Sequence, residues 1–307
     1  MKLDGLAATQ DGAFSGRFFL VSYLPTSALA LFVIVLVWAG APSEKVNFAQ
    51  AWTVAAALKP GQLVLLGLGL LLAALLLHPF QPLMVGILAG RWPSWLGPLA
   101  RLSGRLQTRR YRRLAKRAEL PDDPQQISDA QLQELGVAGA TLRQRYPRAD
   151  RIQATALGNA LAAAWDAQRY GWDTATAWPR LYPILSEPVK ILVNDDRNLM
   201  DTAARVSMTA AAASVLSGLL LARSGWWLLL TLVPLTLARL AYLAAVRAAV
   251  MSGQAIQVAF DLHRFDLMTA LHLPMPDSDV QEHEIARAWC DWWRQGLAPQ
   301  TGYQHPQ

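Results

Sequence analysis

Residues 62–77 carry, after Gln62, only leucine, valine, glycine and alanine. A helix that is apolar on every face over that length has no place on the surface of a soluble fold. A bilayer accepts it, because the helix satisfies its own backbone groups and lipid rewards apolar side chains all round. The run predicts an integral membrane protein. Charged residues make up only 16% of the chain, against roughly 25% in soluble domains. The deficit is confined to a few segments, so part of the chain belongs in lipid and part in water. Cys290 is the only cysteine. An intramolecular disulfide is therefore impossible, which suits soluble parts facing a reducing cytoplasm. Of the 12 tryptophans, Trp38, Trp52, Trp92, Trp95, Trp226 and Trp227 fall at expected membrane edges, where an indole has both lipid and water.

Four spans are expected in an all-α, polytopic fold with a helical cytoplasmic domain. Residues 1–90 hold the first two spans, about 18–38 with Pro25 and about 62–89 with an interruption at His78-Pro79-Phe80-Gln81-Pro82. Residues 91–205 form a helical cytoplasmic insert. Residues 206–248 form a hairpin of two spans, about 206–222 and 226–246, joined by Arg223-Ser224-Gly225. The second of these carries Pro234 and Arg239. Residues 249–296 form further cytoplasmic helices, and 297–307 a disordered tail. From Arg91 to Arg117 there are nine basic residues and no acidic ones. The loop between the first two spans holds only Lys45 and Lys59. The bias of Lys and Arg toward the cytoplasm puts the basic segment inside, and with four spans both termini follow it. The chain is thus expected to cross a membrane several times, with its basic insert on the cytoplasmic side. A rival for the first span is a signal peptide cleaved at Ala39-Gly40-Ala41, but the apolar stretch exceeds the roughly 7–15 residues of such a region.

Within the insert, Gly97 suits an N-cap with Pro98 at the first helical position. Leu99, Leu102 and Leu106 then share a helix face. Arg101, Arg105 and Arg112 cluster beside that stripe, Arg109 borders it, and Arg110 and Arg113 fall on it. Such a helix beside a span either lies on anionic lipid headgroups through Arg101, Arg105, Arg109 and Arg112, or presents a solvated charged face. Residues 119–126 read as a linker, and Ser128 to Gln131 as a capping box. A helix is expected over 150–168, broken by Tyr170-Gly171-Trp172-Asp173, with Gly171 at C′ and Asp173 as the next N-cap. From Glu187 a helix should run unbroken into the third span. The fourth should continue to about Leu273. Asp277 or Ser278 caps the last helix. No strand pattern is visible.

Two blocks stand out: Leu157-Gly158-Asn159-Ala160-Leu161 with Arg169-Tyr170-Gly171-Trp172-Asp173 and Trp178-Pro179-Arg180-Leu181, and Phe260-Asp261-Leu262-His263-Arg264. With Leu77-His78-Pro79-Phe80-Gln81 they resemble a family of bacterial membrane proteins with no assigned activity. The resemblance implies the four-span layout from the second span onward and supplies no chemistry.

Asp261, His263, Asp266 and His272 are metal-binding residue types, but Asp261 and His263 do not share a helix face. No Glu-x-x-His or His-Glu-x-x-His frame is present either. The expected arrangement is an Asp261–Arg264 pair with no metal and no other cofactor. Asn159, Asp166, Arg169, Tyr170, Asp173 and Arg180 form either a ligand or partner pocket or an ion-pair network joining two helices. Arg180 is the first to test, because its guanidinium suits two-pronged recognition. Arg239, about 20 Å into its span, either reaches the inner headgroups or turns inward to an acid such as Asp201. His78 and Gln81 are candidates for a gate where Pro82 favours a kink; alternatively the span ends at Leu77. Ser207, Ala211, Ser214 and Gly218 form a small-residue face for close helix packing, on span four or on another subunit.

No Walker loop, nucleophile elbow or paired-carboxylate frame is present, and four spans without a repeat are few for an alternating-access carrier. Two functions remain. A homo-oligomeric channel ranks ahead, although no selectivity motif is visible. The alternative is a membrane-anchored scaffold or sensor that binds a cytosolic partner through the insert. Nucleic acid is a poor fit, since the basic run abuts the membrane and lacks a binding motif.

Overall fold

A computed structural model describes residues 24–43, 45–120, 128–165 and 168–296, with backbone alone for Leu24, Pro25, His78, Gln168 and Arg169. Four expectations fall outside the described residues: the start of the first span before Leu24, linker residues 121–126, Asp166, and the tail from residue 297. The protein is 83% helical and all-α in class. It divides into two compact units, one of Met1–Gly86 with Asp201–Ala245 and one of Ile87–Met200 with Val246–Gln307.

The first unit begins with α1 (Leu24–Trp38), α2 (Phe48–Ala56) and α3 (Pro60–Leu77). α2 lies where a plain loop was expected. Asn47 starts it, its side-chain oxygen accepting from the Ala49 amide at 2.9 Å. Pro60 opens α3 at a position where its missing N–H costs nothing. α3 ends at Leu77, a 3-10 turn covers His78–Phe80, and α4 (Gln81–Leu88) follows. Three helical stretches are long and apolar enough to cross a membrane: Pro60–Leu77, Glu187–Leu220 and Gly225–Ala270. Only 6% of the first is buried within the chain. α1 is apolar but shorter.

The 34-residue helix numbered α9 below (Glu187–Leu220) is unbroken, as the sequence predicts. A 3-10 segment (Gly225–Thr231) then leads into a 39-residue helix, numbered α10 below (Leu232–Ala270). The small-residue face of Glu187–Leu220 meets this hairpin partner. Ser207 Oγ donates to the Ala238 carbonyl at 3.0 Å and Ser214 Oγ to the Thr231 carbonyl at 3.2 Å. Ala210, Ala213 and Ala238 are buried there with Leu29 of α1. Small side chains let the backbones approach, and the hydroxyls find backbone carbonyls.

In the second unit, α5 (Gly97–Ala118) packs on α6 (Asp129–Arg145). Leu96, not Gly97, is the N-cap of α5, with proline in the first turn. The Ser128 capping box forms as expected. The helix expected over 150–168 is shorter. A 3-10 turn takes Ala149–Arg151, and α7 covers Ala156–Trp165. Asn159 accounts for the late start: its Oδ1 accepts from the Gln153 amide at 2.7 Å, and its Nδ2 donates to the Gln153 and Thr155 carbonyls at 3.1 and 2.8 Å. Residues 153–155 are thereby held out of the helix.

After α7 the chain forms a two-stranded hairpin, β1 (Gln168–Arg169) and β2 (Trp172–Asp173), where no strand was expected. Its turn is Tyr170-Gly171, with φ of 55° and 80°. Two successive positive φ values make the tight hairpin turn that matches strand twist. Gly171 is thus a hairpin residue and not a helix C′. A Cβ there would also lie 2.7 Å from the His283 carbonyl oxygen. α8 (Thr174–Leu181) is capped by Asp173, followed by α9 (Glu187–Leu220), α10 (Leu232–Ala270) and α11 (Asp279–Gln295), which Ser278 caps. The core joins Trp172, Leu181, Phe260, Met268 and Trp289. Gly253 of α10 lets Ala164 of α7 come close; a Cβ there would sit 2.9 Å from the Ala164 Cβ.

Candidate functional site

The residues singled out between 159 and 180 separate into three settings. Asn159 is fully buried and serves the backbone at the start of α7. Tyr170 turns toward α10: its hydroxyl donates to Asp261 Oδ1 at 3.1 Å, and the Arg264 guanidinium lies 4.0 Å above its ring centroid. Asp173 and Arg180 face α11. Asp173 Oδ1 accepts from the Ala175 amide, and Oδ2 accepts from the Thr176 hydroxyl at 2.8 Å and from Arg294. Arg180 lies over the Trp293 ring at 4.1 Å and donates to the Thr176 carbonyl. Of the Arg169 side chain and of Asp166 nothing is described.

Beside this last group opens a cleft of about 390 Å³. Arg151, Gln153, Ala162, Trp165, Asp173 and Arg294 line it. Two cations, an amide, a carboxylate and an indole thus converge on one concavity. Trp165 is exposed, and the edge of one indole meets the face of the other where it contacts Trp178, 6.2 Å between ring centroids. Of the cleft residues, only Asp173 stands among the sequence candidates. Arg294 follows the Trp292-Trp293 pair of α11, and that distant helix gave no sequence signal of meeting the hairpin. Arg151 and Gln153 fall in what the sequence presents as continuous helix.

The cleft has the groups for recognition. Cys290 is buried, and its sulfur accepts from the Asp173 amide at 3.3 Å. Burial pushes that thiol above its ordinary range, and the Asp173 amide offsets part of this.

The residues weighed as metal ligands do not gather. Among the described residues no cluster of three or more His, Cys, Asp or Glu could hold an ion. The expected Asp261–Arg264 ion pair is replaced by another. Arg264 Nη1 donates to the Asp261 backbone carbonyl, and Arg264 Nε lies 3.0 Å from Glu282 Oε1 on α11. His263 Nδ1 is 2.7 Å from Asp266, and its Nε2 is 3.1 Å from Ser186 Oγ. This has the order of a catalytic triad. However, Ser186 is exposed, Asp266 is 61% exposed, and the Ser186 amide also donates to the same imidazole nitrogen at 3.4 Å. The contact ties the start of α9 to α10.

Burial lifts the Glu282 carboxyl above its ordinary value of 4.5, and the nearby Arg264 and His283 offset only part of this. A raised carboxyl binds more protons in the folded than in the unfolded chain across that window, so its ionisation weakens the fold as pH rises. The wild-type protein is expected to lose melting temperature relative to Glu282→Gln as pH rises from 4.5 through the raised value, with a constant gap above. Paired thermal melts across pH check this, and a gap that moves in the opposite direction contradicts it.

In the first unit, Gln81 accepts a hydrogen bond from Arg205 Nη2 and is half-buried. The His78 side chain lies outside the described residues. Arg239 is exposed, its guanidinium 5.8 Å from the Tyr242 ring centroid, and does not turn inward as the second expectation had it.

No protein-family model, no curated protein and no solved structure matches this chain. The function must therefore be argued from the site alone.

Proposed function

We propose that the chain is a membrane-anchored binding module, a scaffold or sensor whose cytoplasmic helical unit receives a partner in the cleft beside α11. The observation that carries this reading is the convergence of Arg151, Gln153, Trp165, Asp173 and Arg294 on one open concavity. An exposed indole ringed by charged and amide groups is the composition of a recognition hot spot. In this reading α1 is the first of four spans. The basic segment 91–117 lies on the cytoplasmic side of a bacterial cytoplasmic membrane, with both termini on the same side. Detergent-solubilised full-length protein is expected to capture a partner from cytosol. Trp165→Ala and Arg151→Ala should each weaken that capture by at least about tenfold. Capture that is absent, or unchanged in both variants, counts against the module.

A homo-oligomeric channel is the second reading. It is favoured by the nearly bare surface of Pro60–Leu77, which lipid or another copy must cover, and by the helix break at His78–Phe80 beside Gln81. Purified protein in planar bilayers would then show unitary currents altered by Gln81→Ala. Silence across a controlled series removes this reading.

A further inference from the structure

α5 is built inside out for a helix in water. Its packed face is polar or small. Gln107 is buried and accepts from the Tyr146 hydroxyl at 3.3 Å, Thr108 donates to the Gly104 carbonyl, and Tyr111 meets the Tyr146 ring at 5.6 Å. Three of its four leucines point the other way, and Leu114 is half-buried. Leu99, Leu102 and Leu106 are 50%, 56% and 48% exposed, and Trp95 just before the helix is 75% exposed. At 3.6 residues per turn these leucines lie on one stripe. A soluble amphipathic helix does the reverse and turns such a stripe inward.

The rest of the exposed surface is cationic. Arg109, Arg110, Arg113 and Arg117 continue the stripe toward the C-terminal end, and Arg101 and Arg105 flank it; all are exposed. No acidic residue occurs between Arg91 and Arg117. In the chain, only residues 89–96 separate α5 from α4.

We propose that α5 is an interfacial helix, with Trp95, Leu99, Leu102 and Leu106 inserted at the headgroup–acyl boundary of an anionic bilayer and the arginines holding phosphate. The occupant follows from charge complementarity and composition together. A leucine stripe with a tryptophan at its end suits the boundary zone, and a run of cations with no anion suits acidic headgroups. A second copy of the chain would bring the same cations against each other. The proposal rests on the membrane reading of Pro60–Leu77 and goes beyond it, since a spanning chain needs no helix lying in the interface.

The test uses the full chain with Cys290→Ala, reconstituted in vesicles of phosphatidylcholine with or without phosphatidylglycerol. A nitroxide is placed singly at Leu102→Cys, with Leu68→Cys as a reference in the span and Glu284→Cys as a reference in water. Collision rates with oxygen and with a water-soluble nickel complex report depth. The expected result in acidic vesicles is excess oxygen collision at 102, intermediate between 68 and 284. That excess should shrink without phosphatidylglycerol and in the Arg109→Glu, Arg113→Glu, Arg117→Glu background. Nickel exposure at 102 equal to that at 284 overturns the proposal while leaving the membrane reading intact. Low collision with both reagents means protein contact and also overturns it. Equal depth with and without acidic lipid overturns the role given to the arginines. Nickel exposure at 68 overturns both readings. Leu99→Cys is read in the same way should Leu102→Cys give no folded protein.

Discussion

Replacing Gly158 with alanine is expected to destabilise the second unit by about 3 kcal/mol or more. A Cβ at this position would lie 2.1 Å from the Ala89 carbonyl oxygen and 3.1 Å from the Gln153 Cβ. The first is inside any normal contact distance and the second is tighter than most, and the nearer atom is backbone, which cannot swing aside as a side chain does. Gly158 is helical and buried, so the usual gain from glycine to alanine in a helix, about 1 kcal/mol, is available and overwhelmed. The neighbours make relief harder, because Asn159 pins residues 153–155 on the same side. The measurement is the thermal midpoint of the full chain in detergent, with Gly136→Ala as a comparison, since nothing lies within 4 Å of a Cβ there. A midpoint for Gly158→Ala at or above that of wild type contradicts the close approach.

Trp172→Ala should cost as much or more, about 3–5 kcal/mol. Trp172 is fully buried and stacks on Trp293 with centroids 6.0 Å apart and planes 21° apart. Trp289 completes the cluster, its centroid 5.8 Å from that of Trp293. Truncation removes the wall on which α11 rests and leaves a void that leucine-sized neighbours cannot fill. The damage should reach the cleft, because Trp293 carries Arg180, and Arg294 beside it holds Asp173. Trp172→Phe keeps an apolar ring and should lose much less. Melting curves of the two variants separate these outcomes. Near-equal midpoints for wild type and Trp172→Ala would show that the aromatic cluster is not what holds the hairpin to α11.

The helical skeleton was legible because helix signals are local. The break-free run from Glu187 through Leu220, the capping box at Ser128 and the cap at Asp173 all follow from neighbours within four residues. The apolar run of Pro60–Leu77 is likewise self-contained. The errors occurred where a distant partner decides the outcome. Asn159 is the local exception: it reads as a pocket residue, but its amide is consumed by the nearby Gln153 and Thr155 backbone. Tyr170-Gly171 reads as a helix stop, yet the turn closes a hairpin whose glycine is pressed against His283 of α11. Arg264 was paired with Asp261, three residues back on the same helix, while Glu282 on another helix takes that place. The cleft combines residues 151, 165, 173 and 294, and no local pattern unites them. α5 shows the opposite case. Its leucine stripe was visible in sequence, but only the fold reveals that the stripe faces outward.

Everything rests on Pro60–Leu77 crossing a membrane. Single cysteines at Leu68, Lys45 and Arg105, in a Cys290→Ala background, can be labelled with a membrane-impermeant maleimide in intact and in permeabilised bacterial cells. The account predicts no reaction at 68 in either case, reaction at 45 in intact cells, and reaction at 105 only after permeabilisation. Labelling at 68 in membranes without detergent, or equal labelling of 45 and 105 in intact cells, would contradict it.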